Sequence, residues 1–201
     1  ASKPVGGGMQ QAIEYAEILD VPFAYSSNGE AFVEHDFLTG KETTIDIDKF
    51  PTPDELHIRF LNHKKLTMEQ QNIVDTPYYS DAYSHEPRYY QRIAINRTVE
   101  AIAKGQERVL IVMATGTGKT YTAFQIIHRL HKSKAKKKIL YLADRNILID
   151  QTMTQDFKPF KKIMCKVKEG DIDTSFEIYI ALYHQLVGKD GEPDPFLKVK
   201  P

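Results

Sequence analysis

The sequence has very little cysteine, no tryptophan and no excess of either charge. One cysteine among 201 residues, Cys165, excludes an internal disulfide and fits a reducing cytoplasm. Lysine plus arginine number 27, and aspartate plus glutamate also number 27. Any contact with a nucleic acid must therefore come from a local basic patch and not from bulk charge. We expect a cytoplasmic protein whose net charge indicates no partner by itself.

Long hydrophobic runs are missing as well. No apolar stretch approaches the roughly 18 residues that suggest a membrane-spanning helix, and the sequence shows no signal-peptide pattern. We therefore predict no membrane role. Because 41% of the residues are hydrophobic, the chain can bury a core, either as one large domain or as two smaller pieces.

The most informative stretch runs from Arg108 to Leu130. Its first part, Val109 to Met113, is a continuous apolar run that predicts a buried strand of a parallel sheet. Its last part predicts a helix, because apolar residues recur at helical spacing at Ala123, Ile126, Ile127 and Leu130. Between them lies the phosphate cradle, residues 115–120, with the sequence TGTGKT. Its glycines allow a tight turn with inward N–H groups, and the following helix adds its partial positive end, so the stretch predicts an anion site.

Each residue type in the cradle suits one part of a nucleotide. Lys119 is predicted to reach the β- and γ-phosphates of ATP, and Thr120 to offer its hydroxyl to Mg²⁺. The predicted contacts with the cofactor are completed by Thr115, Gly116, Thr117, Gly118 and Tyr121. Met113 stands where the strict G-x-x-x-x-G-K-[ST] pattern has glycine, which is typical of a helicase-type variant. A chance glycine-rich turn is the alternative, and the strand and helix patterns on either side favour nucleotide binding.

The first 57 residues predict a helix followed by a β-meander. Apolar residues at helical spacing indicate the helix: Met9, Ala12, Ile13, Ala16 and Leu19. Strand-like runs follow at 21–27, 30–36 and 43–47. Asn28-Gly29 joins the first two runs and is the strongest short hairpin signal, since both positions accept positive φ. We take residues 1–57 as part of one domain and residues 58–87 as the junction to the next. Tyr78, Tyr79 and Tyr83 in this junction either pack onto a domain or stack on bases.

Residues 88–201 have the pattern of an α/β domain. A helical stripe at 95–102 precedes the cradle, strand-like runs follow at 139–143, 163–167 and 178–182, and 147–157 predicts a helix. Strands that alternate with helices predict a parallel, doubly wound sheet. Five lysines within 132–138 indicate either a solvated helix end or a patch that tracks phosphates.

Two further segments resemble motifs of superfamily 2 helicases. Residues 88–91, RYYQ, lie before the cradle where that superfamily has its Q motif. The amide of Gln91 can pair with the N6 and N7 edge of adenine, although a surface glutamine at a helix start is the alternative. Residues 141–151, YLADRNILIDQ, resemble motif Ia, in which Arg145 would hold a DNA strand by its phosphates. Arg145 as an ion-pair partner at a helix start is the alternative there.

The wording of the motifs is closer to one family than to helicases at large. MATGTGKT, LYLADRNILIDQ and IYIALYHQL resemble the R subunit of type I restriction-modification enzymes, which couples ATP-driven DNA translocation to cleavage. Gln11 and Tyr15 resemble the Q-x-x-x-Y element that follows the metal-binding acids of a PD-(D/E)xK nuclease, and their spacing places them on one helix face. The resemblance implies a RecA-like domain preceded by the C-terminal part of a nuclease-like domain. It also implies Lys119, Gln11 and Tyr15 as catalytic residues, ATP and Mg²⁺ as cofactors, and double-stranded DNA and the modification and specificity subunits as partners.

The resemblance covers nearly the whole chain, but parts of the family pattern are missing. The nuclease acids, a Walker B motif and the second RecA-like domain are not recognisable in these 201 residues. We therefore expect an internal fragment that binds nucleotide without completing catalysis, whereas its parent would be an ATP-dependent site-specific deoxyribonuclease. The alternatives are another superfamily 2 translocase, including one that has lost cleavage, and a nucleotide-binding interaction module without motor activity.

Overall fold

The computed structural model describes residues 4–82, 84–144, 152–167 and 173–182. The chain forms two compact units, one of Ala1–Gln71 with Arg88–Ile93 and the other of Asn72–Pro87 with Ala94–Pro201. The expected boundary at residue 57 lies inside a helix, Pro53–Lys64, so the compact units divide the chain differently from the domains that the sequence indicates. The assignment of those domains stays a prediction.

The first unit opens with a helix and an antiparallel meander, as the sequence predicts. The elements are α1 (Met9–Leu19), β1 (Phe23–Ser27), β2 (Ala31–Asp36) and β3 (Lys41–Asp46), with the strands in the order β1-β2-β3. Gly29 has a φ of 89° in the turn between β1 and β2, which explains the glycine there. Buried Met9 and Ala16 of α1 pack with Ala24 of β1, so the apolar stripe of the helix covers the sheet.

Two helices follow the meander. After a short 3₁₀ turn, Ile47–Lys49, come α2 (Pro53–Lys64) and α3 (Met68–Val74). A reciprocal capping box starts α2: the N–H of Glu55 donates to Thr52 Oγ1 at 3.3 Å, and the N–H of Thr52 donates to Glu55 Oε2 at 2.7 Å. Because two donors at the helix end are satisfied in this way, α2 has a well-defined start.

The second unit contains a three-stranded parallel sheet with helices. Its elements are α4 (Tyr89–Ala103, with 89–93 in the other unit), α5 (Lys119–Lys132), β4 (Ile139–Ala143), a 3₁₀ turn (Lys158–Phe160), β5 (Met164–Lys166) and β6 (Ile178–Leu182). The strand order is β4-β6-β5, and both pairings are parallel. The α/β class and the parallel sheet predicted from the sequence are therefore confirmed. None of the helices within these described residues is both long and apolar enough to cross a membrane.

The central strand β6 is buried on both faces. Ile178, Ile180 and Leu182 pack with a cluster that includes Phe124 and Ile127 of α5. Tyr179 and Ala181 face a second cluster that contains Val167. This explains the continuous apolar sequence of β6, because a parallel strand in the middle of a sheet has no polar face.

The prediction of a strand at Val109 to Met113 is wrong. These residues form no strand in the structure, and Leu110 and Val112 are 87% and 86% exposed. A strand needs neighbours for its N–H and C=O groups, and the described sheet of β4, β6 and β5 supplies none to this segment. An apolar run therefore predicted a buried strand correctly at 178–182, where other elements cover it, and incorrectly at 109–113, where the described chain provides no covering surface.

Some predicted features lie outside the described residues. They are Tyr83, Arg145, most of the helix expected at 147–157, and the polar stretch from Gly188 to Pro201. The predicted role of Arg145 therefore stays a prediction from sequence.

Candidate functional site

The phosphate cradle lies directly before α5, and its backbone requires glycine at two positions. Gly116 has a φ of 79° and Gly118 a φ of 82°, values that side-chain-bearing residues rarely adopt. Gly118 is the N-cap of α5 and brings no side chain to cap the first-turn N–H groups. The first turn also contains no acidic residue. The start of the helix therefore has no side-chain cap from Gly118 and presents the positive end of its dipole, which together suit an anion.

Two side chains of the cradle converge on one carbonyl group. Lys119 Nζ donates to the carbonyl oxygen of Ala114 at 3.2 Å, and Thr117 Oγ1 donates to the same oxygen at 2.7 Å. Lys119 is exposed, so its ammonium group is open to a ligand from solvent. Because hydrogen bonds between charged groups are stronger than those to a neutral carbonyl, a phosphate would compete well for Lys119.

The remaining predicted cofactor contacts differ in accessibility. Thr115 is exposed and Thr120 is partly buried in the first turn of α5. The hydroxyl of Tyr121 donates to the carbonyl oxygen of His85 and accepts from Gln125 Nε2. The structure thus gives Tyr121 a role in packing within its own unit, and its predicted contact with the nucleotide stays a prediction.

Gln91 lies at the start of α4 and is almost completely buried. Its Oε1 accepts the N–H of Arg88 at 2.9 Å, so the side chain caps the helix from its third residue. Gln91 belongs to the first compact unit, whereas the cradle belongs to the second. The capping contact matches the helix-start position of the alternative interpretation, but the surface position expected there is wrong, because Gln91 is 6% exposed. The predicted recognition of adenine stays a prediction.

Gln11 and Tyr15 lie side by side on α1. Gln11 Nε2 donates to the Tyr15 hydroxyl at 2.9 Å, and Tyr15 is 56% exposed. Met9 and Ala16 of the same helix are buried. The pair therefore occupies the solvent face, as the four-residue spacing predicts. Both residues belong to the first unit, so the structure groups them apart from the cradle.

Sequence reasoning missed a charged cluster that joins α2 to β2. Arg59 Nη1 donates to Glu34 Oε2 at 3.0 Å, and Arg59 Nη2 donates to Glu34 Oε1 and Asp36 Oδ2 at 2.7 Å each. The hydroxyl of Tyr25 donates to Glu34 Oε2 at 2.5 Å. The spacing of Glu34 and Asp36 in a strand could have placed them on one face, but their partner lies more than 20 residues away in sequence.

The electrostatics of this cluster follow from its hydrogen bonds. Those from Arg59 lower the pKa of Glu34 below its usual value, against the effect of burial. For Asp36, burial alone would raise the pKa, but hydrogen bonds from Arg59 and the N–H of Leu38 outweigh it and lower the pKa. Burial and the bond to Glu34 raise the pKa of Tyr25. Both carboxylates are therefore charged at neutral pH and held by one guanidinium.

Comparisons with protein families and with curated proteins both identify subunits of restriction enzymes as relatives of this chain. The family model described as Type III restriction enzyme, res subunit, matches residues 84–198. The chain is 51% identical over 201 residues to the type I restriction enzyme EcoAI endonuclease subunit of Escherichia coli, covering 98% of this chain and 25% of the relative. It is 33% identical over 143 residues to the type I restriction enzyme EcoKI endonuclease subunit of Escherichia coli strain K12, covering 66% of this chain and 12% of that relative. The chain thus spans a quarter or less of the length of these relatives.

One solved structure is similar to this chain in both sequence and fold. It is the fragment structure of a protein assigned as an HsdR subunit of a type I restriction enzyme from Vibrio vulnificus YJ016. The TM-score is 0.76 at 41% sequence identity, and the match covers 92% of this chain and 33% of that chain. The similarity therefore extends over the residues of both compact units.

Proposed function

Because the chain belongs to the restriction-enzyme res-subunit family and is a homologue of type I restriction endonuclease subunits, we propose that it is the ATP-binding part of an ATP-dependent DNA translocase and endonuclease. The observation that carries this proposal is the turn before α5. Gly116 and Gly118 have positive φ there, and the helix start offers Lys119 and has no side-chain cap from Gly118. The activity of the whole protein is part of the proposal, since this chain spans a quarter of its EcoAI relative.

The residues of the cradle fit a Mg²⁺-bound nucleoside triphosphate. The N–H groups of residues 116–120 would bind phosphate oxygens, and the Thr117 N–H and Lys119 would exchange the Ala114 carbonyl for a phosphate. Thr120 carries a hydroxyl of the kind that ligates Mg²⁺ beside a phosphate, and the ion neutralises negative charge on the phosphates. Gln91 would select adenine through its amide. A RecA-like, doubly wound arrangement of the whole domain belongs to the same proposal.

The other half of the proposal concerns DNA. The helix and meander of residues 1–57 would be the C-terminal part of a PD-(D/E)xK-like nuclease domain, with Gln11 and Tyr15 at its cutting site. Their exposed, hydrogen-bonded arrangement on α1 supports this, because it leaves the hydroxyl and the amide accessible to a phosphate or a catalytic group. Arg145 would grip double-stranded DNA by its phosphates. The modification and specificity subunits of the restriction complex would be the protein partners.

The experiment that tests the proposal is titration of the chain with a fluorescent ATP analogue and Mg²⁺. Lys119→Ala should weaken binding by roughly tenfold to a hundredfold, since a charge-assisted phosphate contact is worth about 1.5 to 3 kcal/mol. Lys132→Ala is the matched control, because Lys132 is an exposed lysine in the last turn of the same helix. Equal curves for the parent and Lys119→Ala would contradict the assignment.

A further inference from the structure

One row of side chains on α5 holds the segment that precedes α4. Tyr121, Gln125 and Arg129 are four residues apart, so they lie along one face of the helix. All three make hydrogen bonds to main-chain oxygens or nitrogens of residues 74–85. The part of this segment at residues 74–82 is the junction strap. Gln125 and Arg129 therefore hold the backbone of the strap, and Tyr121 holds the backbone of His85, which follows it.

Gln125 makes the central contact of the row. Its side chain is completely buried, its Oε1 accepts the N–H of Tyr79 at 2.8 Å, and its Nε2 donates to the Tyr79 carbonyl at 3.1 Å. The same Nε2 donates to the Tyr121 hydroxyl at 2.9 Å. The amide thus satisfies both main-chain groups of Tyr79, as a neighbouring strand would. Water does not reach this fully buried site. Loss of the Gln125 side chain would therefore leave the N–H and C=O groups of Tyr79 without hydrogen-bond partners.

Arg129 holds the start of the strap. Its Nη2 donates to the carbonyl oxygen of Val74, and its Nη1 donates to Asn96 Oδ1 at 2.7 Å. Its guanidinium lies 5.1 Å from the centre of the Tyr78 ring, and the Tyr78 hydroxyl donates to the same Asn96 oxygen at 2.7 Å. The strap therefore has a second fixed point one turn further along α5.

The grip begins close to the phosphate cradle. Tyr121 is two residues after Lys119, in the first turn of α5, and its hydroxyl joins the His85 carbonyl to Gln125. The first turn of a helix frays unless its N–H groups are satisfied, and a bound phosphate would satisfy them. Because Tyr121 lies in this turn, a ligand that orders the turn would restrict the Tyr121 side chain, whose hydroxyl accepts from the Gln125 amide.

The strap is also a covalent connection. It follows residues up to 71 and precedes residues 88–93, and both of these stretches belong to the other compact unit. We propose that the junction strap is a nucleotide-responsive latch, in which a nucleoside triphosphate at the start of α5 tightens the hydrogen bond of Tyr121 to His85 and those of Gln125 to the strap. This inference rests on the proposed function, because it requires phosphate binding at the cradle. The latch acts on the stretch of chain that links residues up to 71 to residues 88–93.

The Tyr79 amide proton reports directly on the latch, because its acceptor is Gln125 Oε1. Residue-resolved hydrogen exchange is measured on the 201-residue chain with and without a non-hydrolysable ATP analogue and Mg²⁺. Exchange at Tyr79 should slow several-fold with nucleotide. The amide of Leu38, held by Asp36 Oδ1 at 2.8 Å in the other unit, serves as the internal reference and should not respond.

Two variants separate the latch from general stabilisation. In Gln125→Leu, the Tyr79 amide should exchange rapidly, and nucleotide should no longer slow that exchange. The variant should still bind nucleotide. Thr122→Val is the matched control, since Thr122 lies buried on the same helix and its hydroxyl has no hydrogen-bond partner in the described structure. It should respond to nucleotide as the parent does.

The outcomes are distinguishable. Nucleotide affinity is first measured by titration, and a chain that does not bind would overturn the proposed function together with the latch. A parent chain that binds nucleotide but shows unchanged exchange at Tyr79 would refute the latch alone. This comparison needs only the parent, so it decides the matter even where Gln125→Leu does not fold.

Discussion

The guanidinium of Arg59 forms a two-point ion pair with the carboxylate of Glu34, with N–O distances of 3.0 and 2.7 Å. Such paired geometry fixes orientation as well as charge, because two parallel hydrogen bonds define a plane. The side chain of Glu34 is 5% exposed and that of Arg59 is 36% exposed. The pair therefore joins α2 to the meander at the edge of the buried region of the first unit.

We predict that Arg59→Met destabilises the first unit, because it leaves Glu34 and Asp36 charged and largely buried without a cation. The loss should be roughly 2 to 3 kcal/mol, below the range for fully buried pairs since solvent screens the exposed part of Arg59. Urea unfolding at neutral pH measures it. Lys49→Met is the control, because the Lys49–Asp46 pair is mostly exposed and screened by solvent, so its effect should be much smaller than that of Arg59→Met.

The same pair predicts a pH dependence. The pKa of Glu34 is lowered in the folded chain, so its contribution is fully present above its ordinary value of 4.5 and is lost as the pH falls below that value. The parent should therefore lose more stability between pH 5 and lower pH than Arg59→Met does. Parallel stability curves for the two proteins in acid would contradict the assigned role.

A half-buried histidine, His128, predicts a second pH effect in the other unit. Burial, with the nearby charges of Lys132, His131 and Arg129, lowers the pKa of His128 from 6.5 to about 4. Its Nε2 has no hydrogen-bond partner within the described residues, and its ring stacks on Phe160. The folded chain thus keeps His128 neutral, whereas the unfolded chain takes up a proton below pH 6.5. Stability from this group is complete above pH 6.5 and declines as the pH falls toward 4.

His128→Phe should reduce that decline, because a phenyl ring suits the aromatic surroundings and carries no titrating group. Thermal unfolding from pH 7 to pH 4 measures the difference between the two slopes. His63→Phe, at an exposed position of α2, controls for the loss of a histidine elsewhere. An unchanged slope in His128→Phe would show that protonation of this ring does not contribute to acid destabilisation.

Local patterns predicted local structure well. Asn28-Gly29 predicted the turn between β1 and β2, and the apolar run at 178–182 predicted a strand, which the structure places at the centre of the parallel sheet. The run at 109–113 failed because burial of a strand depends on neighbours that sequence composition does not specify. Long-range side-chain pairs were also missed. Arg59 and Glu34 are 25 residues apart and Gln125 and Tyr79 are 46 apart, and no periodicity within one element connects such positions.

Gln91 allows its two roles to be separated by substitution. Its Oε1 caps α4 through the Arg88 N–H, whereas the proposed recognition of adenine also needs the amide as a donor. Gln91→Glu keeps an acceptor for the helix start, where a carboxylate is favourable, but removes the donor. We predict that it keeps the helix cap and narrows the preference for ATP over GTP.

Calorimetric titration with both nucleotides measures that preference. Gln91→Ala removes both functions and should lower the free energy of unfolding by about 1 kcal/mol in addition. A ratio of ATP to GTP affinity that is the same in all three proteins would leave Gln91 as a helix cap only.

The last prediction concerns the hydrogen-bonded pair on α1. If Gln11 and Tyr15 belong to the cutting site, the double variant Gln11→Ala, Tyr15→Ala in the full-length protein with its partner subunits should lose DNA cleavage and keep ATP hydrolysis. Folding should survive, because both side chains lie on the solvent face and such changes usually shift stability by only about 0.5 kcal/mol.

Cleavage of circular DNA and ATP hydrolysis are measured on the same preparation. Glu14→Ala, on the exposed surface of the same helix, is the control and should retain both activities. Intact cleavage in the double variant would make α1 an ordinary amphipathic helix, and loss of both activities together would contradict the separation of the two sites.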